Sequence, residues 1–403
     1  MTFFVVLLYA LVLPYIGLML MVIVGLKRRN PQLQSAETPS VSVVIPAHNE
    51  EAKLAATLAS LMGQRYEGEL EFVIVNDRST DATERIIQSF AERDPRFRLV
   101  NVYLPSRRLS PKVNAVNTGI QASAGEIILT SDADCQYPEG WVAGMVSHFV
   151  PDVAMVVGYV ESTRPGRAAN AVQRFESTDW LSLMMTSMAL THFGWKFASS
   201  ANNQGYRRSA FDEIGGFGAS GRAPSGDEDL LTQRMGRLQG KRIVFASAPG
   251  IRVYTQPMPG LYALLNQRRR WVSRYLHVVH YHPAFFASIA TLGAQSVVLS
   301  FAVIAAFFSP ALLPWVAGLW GLKLAVELYG MHLGERLMGR HDLGGLNTLV
   351  WAVLHPFFIA TVSLWAIVKT GEWRAGAQSY RRRFVKRQWR EWLRKVRGGG
   401  SIL

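Results

Sequence analysis

The chain is 403 residues long, 49% hydrophobic, with a formal net charge of +14 and a positive mean hydropathy of +0.11. A single cysteine, Cys135, excludes an internal disulfide and fits a reducing compartment. The basic balance does not point to nucleic acid, because no recognisable nucleic-acid module is present and the charge follows apolar segments.

Residues 2–26 are uncharged, and the run is long enough for a bilayer core of about 30 Å. No basic residue precedes it, and Lys27, Arg28 and Arg29 follow it. An uncleaved transmembrane anchor over residues 1–29 is therefore expected, with the next domain on the cytoplasmic side. From residue 38 the composition becomes that of an ordinary globular domain. Residues 41–46 read as a β-branched strand and residues 50–62 as a helix. Residues 71–75 read as a second strand and 81–92 as a second helix, with Thr80 or Asp81 as its cap and Glu84 inside the first turn. A strand over 98–103, a helix over 111–122 and a strand over 126–129 continue the alternation. This pattern predicts an α/β fold with a mostly parallel sheet, in which ligands sit beyond the carboxyl ends of the strands.

Residues 175–190, with Trp180, three methionines and few charges, suit an interfacial helix beneath this domain. Apolar runs at 285–308, 311–329 and 346–368 predict a membrane region over 284–368. Lys323 and Glu327, four apart inside the second run, can pair on one helix face, and charges at that depth often mark function. Residues 369–403 form a basic tail in which Val385, Trp389, Trp392 and Val396 make one apolar stripe. That is the pattern of a cytoplasmic amphipathic helix on an anionic membrane surface. One crossing before the domain and three after it would put this tail outside, against the positive-inside rule. One run, either that containing Lys323 or that broken by Pro356, is therefore expected to fall short of a full crossing.

Four polar clusters follow the expected strands or open a helix: Pro46-Ala47-His48-Asn49-Glu50, Asn76-Asp77-Arg78-Ser79-Thr80-Asp81, Ser131-Asp132-Ala133-Asp134 and Gly226-Asp227-Glu228-Asp229. Each has a local explanation. Asp and Ser after a strand cap helices, and acids at a helix start suit its dipole. Their co-occurrence in this order carries the functional reading.

With Lys112-Val113-Asn114-Ala115-Val116-Asn117 and Gln267-Arg268-Arg269-Arg270-Trp271, these clusters make residues 40–275 resemble a membrane-bound family 2 glycosyltransferase of GT-A fold. That group includes cellulose, chitin and hyaluronan synthases and ceramide-type transferases. The resemblance implies a catalytic domain over 38–275 and a nucleotide-sugar donor, commonly UDP-linked. It implies a donor site at Pro46, His48, Glu50, Asp77, Lys112 and Asp132. Asp77 would meet the nucleotide base, and Lys112 would lie beside the phosphates. Mg²⁺ or Mn²⁺ would sit on Asp134 and Asp132, since such ions take one or two carboxylates plus phosphate oxygens.

The general base falls on Glu228, where the family has Asp, or on Asp229 beside it, and direct displacement would invert the anomeric centre. Gln267, Arg270 and Trp271 would serve the diphosphate and the acceptor sugar, while Arg268 and Arg269 also fit the basic flank of a membrane run. Asn202 and Asn203 match an acceptor-facing loop or a structural turn; His192, His277, His280 and His282 read as structural. The acceptor is a membrane lipid or glycan, with no nucleic-acid partner. A processive polysaccharide synthase and a non-catalytic nucleotide-sugar-binding scaffold are the rival functions.

Overall fold

A computed structural model describes residues 2–28, 35–106, 108–165, 169–195, 200–218, 227–275 and 283–368. The basic tail and His277, His280 and His282 lie outside the described residues. The strands are β1 (Val41–Ala47), β2 (Leu70–Asp77), β3 (Phe97–Val102), β4 (Ile127–Thr130), β5 (Val153–Gly158), β6 (Val160–Glu161), β7 (Gln204–Arg207), β8 (Arg242–Ala246) and β9 (Val253–Tyr254). The first six helices are α1 (Thr2–Lys27), α2 (Leu54–Met62), α3 (Thr83–Ala91), α4 (Pro111–Ala122), α5 (Trp141–Val146) and α6 (Ala171–Thr191). The remainder are α7 (Arg208–Glu213), α8 (Asp227–Met235), α9 (Leu261–Tyr275), α10 (Pro283–Phe308), α11 (Leu313–Leu337) and α12 (Leu346–Val368).

Seven strands form one sheet in the order β3-β2-β1-β4-β7-β5-β8, and β6 pairs with β9 beside it. The interior of β1 and β2 is a run of Val, Ile and Phe buried on both faces, as a parallel sheet covered by helices requires. All neighbours in the large sheet run parallel except β7, which is antiparallel to both β4 and β5. The alternation read from the sequence stops short of this reversed strand.

Local chemistry shifts two expected helix starts. Helix α2 begins at Leu54 instead of near residue 50, because the Glu50 carbonyl closes a turn by accepting the N–H groups of Lys53 and Leu54. Helix α3 begins at Thr83, whose N–H donates to Asp81 Oδ1 at 3.0 Å. Glu84 makes no capping box; it accepts from Asn76 and Asn101 and ties the end of β2 to β3.

Helix α4 lies against β1 and β2 through Gly119, where a Cβ would come within 2.5 Å of Val44 Cγ1 and 2.7 Å of Val75 Cγ2. Gly119→Ala is therefore expected to overpack this seam and destabilise the domain by about 1–3 kcal/mol. Denaturant unfolding in detergent checks this, and a variant as stable as the parent would show that the seam can give way.

Among the described residues four helices are long and apolar enough to cross a membrane: Phe3–Lys27, Ala287–Phe308, Pro310–Leu337 and Leu346–Val368. Neither Lys323 nor Pro356 interrupts its helix, so helix length supports no short run among the three carboxyl-terminal segments. The anticipated Lys323–Glu327 pair is present. Lys323 Nζ lies 2.6 Å from Glu327 Oε2 and donates to the Ala352 carbonyl at 3.0 Å, while Tyr15 Oη donates to Glu327 Oε1 at 2.5 Å. These contacts join α1, α11 and α12 where no water competes for them.

Helix α6 is the girder between sheet and membrane-length helices. It packs against α1, α11 and α12 on one side and against β6 and β8 on the other. Asn170 and Gln173 form a reciprocal capping box at its start. His192, just past its end, has Nδ1 2.9 Å from the Gly25 carbonyl, a structural role as expected.

Candidate active site

Two positive-φ residues mark where the strand ends are bent into a site. Asn49 (φ 55°) follows β1 and Arg78 (φ 58°) follows β2. Left-handed backbone at non-glycine residues is uncommon and needs surrounding bonds to hold it. Those bonds run between the two loops. Asn49 N–H donates to Ser79 Oγ at 3.0 Å, Thr80 N–H donates to Asn49 Oδ1 at 2.8 Å, and Glu50 N–H donates to Thr83 Oγ1 at 2.8 Å. His48 Nδ1 sits 2.6 Å from the Asp77 carbonyl. Pro46, which has no N–H, occupies β1 opposite Val75. The first two clusters are thus one bonded unit.

Asp77 is buried at the end of β2, and its carboxylate accepts from Arg78 Nε at 2.9 Å and Nη2 at 3.3 Å. The chain leaves β4 at Thr130 into Asp132 and Asp134, each with 28% side-chain exposure. Lys112, in the first turn of α4, places Nζ 2.7 Å from Asp132 Oδ1. Lys53, just before α2, places Nζ 3.3 Å from Asp134 Oδ2. Four loops therefore converge on one edge of the sheet, and each acid meets a lysine from a different loop. Lys53 had no mark in the sequence that set it apart from a surface lysine.

The floor beneath these acids is apolar or already bonded. Cys135 is buried, and burial, then the charges of Asp134 and Asp132, push its thiol well above the usual range, so it is an inert packing group. Asn202 Nδ2 lies 3.4 Å from Cys135 Sγ. Asn203 is fully buried: it donates to the carbonyls of Tyr159 (2.9 Å) and Ile251 (2.8 Å) and accepts from Trp141 Nε1 (2.9 Å). Of the two readings for this loop, the structural turn holds for Asn203.

Glu228 and Asp229 lie in the first turn of α8, which starts at Asp227 and buries Leu230, Leu231 and Met235. Gln267, Arg270 and Trp271 ride on α9, which packs against α12. The reading of Arg268 and Arg269 as a mere basic flank is overturned, because both are buried. Arg268 Nε donates to Asp179 Oδ2 at 2.8 Å, and Arg269 Nη2 donates to Asn266 Oδ1 at 2.7 Å. Trp271 packs edge-on against Trp180 at 5.4 Å, and the Arg268 guanidinium lies 4.1 Å from the centroid of the Trp271 ring.

Among the described residues no group of three or more His, Cys, Asp or Glu side chains could hold a metal ion. The strand-end pair Asp132 and Asp134 offers hard oxygen donors, partly open and charge-balanced by lysines. That set suits Mg²⁺ or Mn²⁺ completed by phosphate oxygens, and does not suit an ion caged by protein alone.

Residues 42–215 match the model of Glycosyl transferase family 2. The chain is 28% identical over 255 residues to the probable glycosyltransferase YdaM of Bacillus subtilis (strain 168), covering 60% of this chain and 57% of that protein. It is 30% identical over 189 residues to the beta-monoglucosyldiacylglycerol synthase of Nostoc sp. (strain PCC 7120), covering 44% of this chain and 38% of that protein. The chain thus spans about half the length of the curated relatives it matches. The mannosyltransferase PcManGT from Pyrobaculum calidifontis, solved with GDP-Man and Mn²⁺, shares the fold with a TM-score of 0.58 at 19% identity, over 90% of this chain and 99% of that one.

Proposed function

We propose that this chain, whose residues 42–215 are a family 2 glycosyltransferase domain on a GT-A-like fold, transfers a sugar from a nucleotide-sugar to a membrane lipid or glycan with inversion. The observation that carries the reading is the pairing of both strand-end acids with lysines drawn from separate loops, Asp132 with Lys112 and Asp134 with Lys53. An edge with carboxylates and ammonium groups side by side can receive a diphosphate together with its counter-cation.

Each assigned residue then has a task. Pro46, His48 and Glu50 belong to the bonded loop unit that floors the donor site, and Asp77 holds the nucleotide base. Asp134 and Asp132 would hold Mg²⁺ or Mn²⁺, which when bound offsets charge on the departing diphosphate. Lys112, released from Asp132, turns its ammonium toward the phosphates, where negative charge develops. Glu228 or Asp229 removes the proton from the acceptor hydroxyl as it attacks the anomeric carbon from the far face. Arg270 presents a planar fork to phosphate oxygens, with Gln267 beside it, and Trp271 offers an apolar face to the acceptor sugar.

The membrane assignment rests on α1 and α10–α12. Residues 1–29 would be the anchor, 38–275 the catalytic domain, 284–368 the carboxyl-terminal membrane region and 369–403 a basic surface tail. Lys27 and Arg28 after α1 favour a cytoplasmic catalytic domain, and the bacterial relatives favour a bacterial cell membrane, the inner membrane in a cell that has two. The relative named as a diacylglycerol glycolipid synthase supports a lipid acceptor.

The test uses membranes containing the protein, a panel of radiolabelled nucleotide-sugars and Mg²⁺ or Mn²⁺. Label should pass from one donor into the organic phase and stop passing when EDTA is added. Label in a long polymer would replace the lipid reading with a processive synthase, and no transfer from any donor would sink the enzymatic one.

A further inference from the structure

The search for groups that the proposed chemistry leaves unused leads to α6. Asp179 is almost fully buried in its middle, far from the strand-end acids in sequence and on a different element. A buried carboxylate is costly unless matched, and this one is matched by a guanidinium, with an imidazole nearby. Its Oδ2 accepts from Arg268 Nε at 2.8 Å, and its Oδ1 lies 3.6 Å from Nε2 of the buried His355 on α12.

Arg268 in turn touches two of the α9 residues assigned above, Gln267 beside the phosphate fork and Trp271 on the acceptor side. Its Nη1 donates to Gln267 Oε1 at 2.5 Å, and its guanidinium lies 4.1 Å from the Trp271 ring centroid. The same guanidinium sits 5.4 Å from the Trp180 ring, which lies at 75° to the Trp271 ring with centroids 5.4 Å apart. One planar cation therefore sets the conformer of an amide and the plane of an indole. A single carboxylate holds that cation at its Nε.

We propose that Asp179 is a positioning residue for the acceptor side of the site: through Arg268 it holds the Trp271 ring and the neighbouring Gln267. Resting on the transferase reading above, it deepens that reading by assigning acceptor recognition to a relay anchored in α6. Arg268 takes one face of Trp271, and a sugar ring meets what remains of the indole, where small tilts change the fit. The donor loops are built from other bonds, so losing the relay should affect acceptor use and spare donor use.

The experiment compares full-length wild type, Asp179→Asn and Arg268→Lys in detergent, with two readouts. The first is ¹⁹F NMR of protein carrying 5-fluorotryptophan, in which the Trp271 resonance is identified by its loss in Trp271→Phe. Asp179→Asn and Arg268→Lys should each displace that resonance and leave the resonance of Trp141, buried in the sheet domain, where it was. A Trp271 resonance that stays put overturns the proposal, and displacement of both resonances together overturns it in favour of a general structural role. The second readout is steady-state kinetics with the donor found in the label assay: acceptor KM should rise about tenfold, with donor KM within twofold. Equal rises in both KM values overturn the acceptor assignment. Should the wild type transfer no sugar, the transferase reading fails on that result, while the ¹⁹F comparison still decides whether Asp179 positions Trp271.

Discussion

Glu228→Gln is expected to lower kcat by about 10²- to 10⁴-fold, the usual contribution of a positioned general base, while nucleotide-sugar affinity stays within about twofold. An alcohol is a poor nucleophile until its proton has somewhere to go, and glutamine keeps the size of glutamate without its proton affinity. The donor acids and lysines stand at the ends of β1, β2 and β4, just before α2 and in the first turn of α4, whereas Glu228 opens α8, so removing the base should leave donor binding intact. Asp229→Asn is expected to cost less than tenfold. Single-turnover transfer and equilibrium donor binding, measured side by side, separate the two effects. If Asp229→Asn carries the large loss and Glu228→Gln the small one, the base moves one position along the helix. If neither variant loses turnover, the acids at the start of α8 serve the helix dipole alone.

What could be read from the chain and what could not divide along sequence distance. The β1 and β2 runs declare themselves because both faces of a central parallel strand are buried and most of its residues are apolar. The clusters after them are legible for a different reason: each has a structural task of its own, and it is their recurrence in a fixed order after successive strands that sets them apart. Strand β7 is different. Gln204-Gly205-Tyr206-Arg207 has no strand-like pattern, and its place between β4 and β5 comes from tertiary pairing that overrides local preference. The pairing of Lys53 with Asp134 spans 81 residues and that of Arg268 with Asp179 spans 89. No local rule connects such positions, so in sequence Lys53 is indistinguishable from a surface lysine and Arg268 from a membrane flank. The Lys323–Glu327 pair was legible because four residues make one helical turn.

Arg340→Met should be the most destabilising single change outside the catalytic edge, at about 3–5 kcal/mol, because it strands a buried carboxylate. Arg340 lies between α11 and α12, fully buried, and forks onto two acids. Its Nη1 donates to Glu161 Oε2 on β6, and its Nε donates to Asp342 Oδ1 at 2.8 Å. Arg252 supports the same acid more loosely, with Nη1 3.7 Å from Glu161 Oε1, and donates to the Met338 carbonyl. This cluster is the polar seam between the sheet domain and the helices that follow it.

Burial lifts the Glu161 carboxyl above its usual range, against the pull of Arg340 and then Arg252. Removing Arg340 takes away the stronger pull and lifts it further. A carboxyl whose folded pKa is raised contributes stability that is present below its unfolded pKa and lost as pH rises through the folded one. The deficit of Arg340→Met should therefore be smaller at about pH 5 than at about pH 8. Adding Glu161→Gln should recover much of the loss and flatten its pH dependence, since the stranded charge is then gone. Denaturant unfolding in mixed micelles at the two pH values measures all of this. A deficit under about 1 kcal/mol, or one that grows toward acid, would mean that Glu161 is held by Arg252 alone and that the seam does not depend on Arg340.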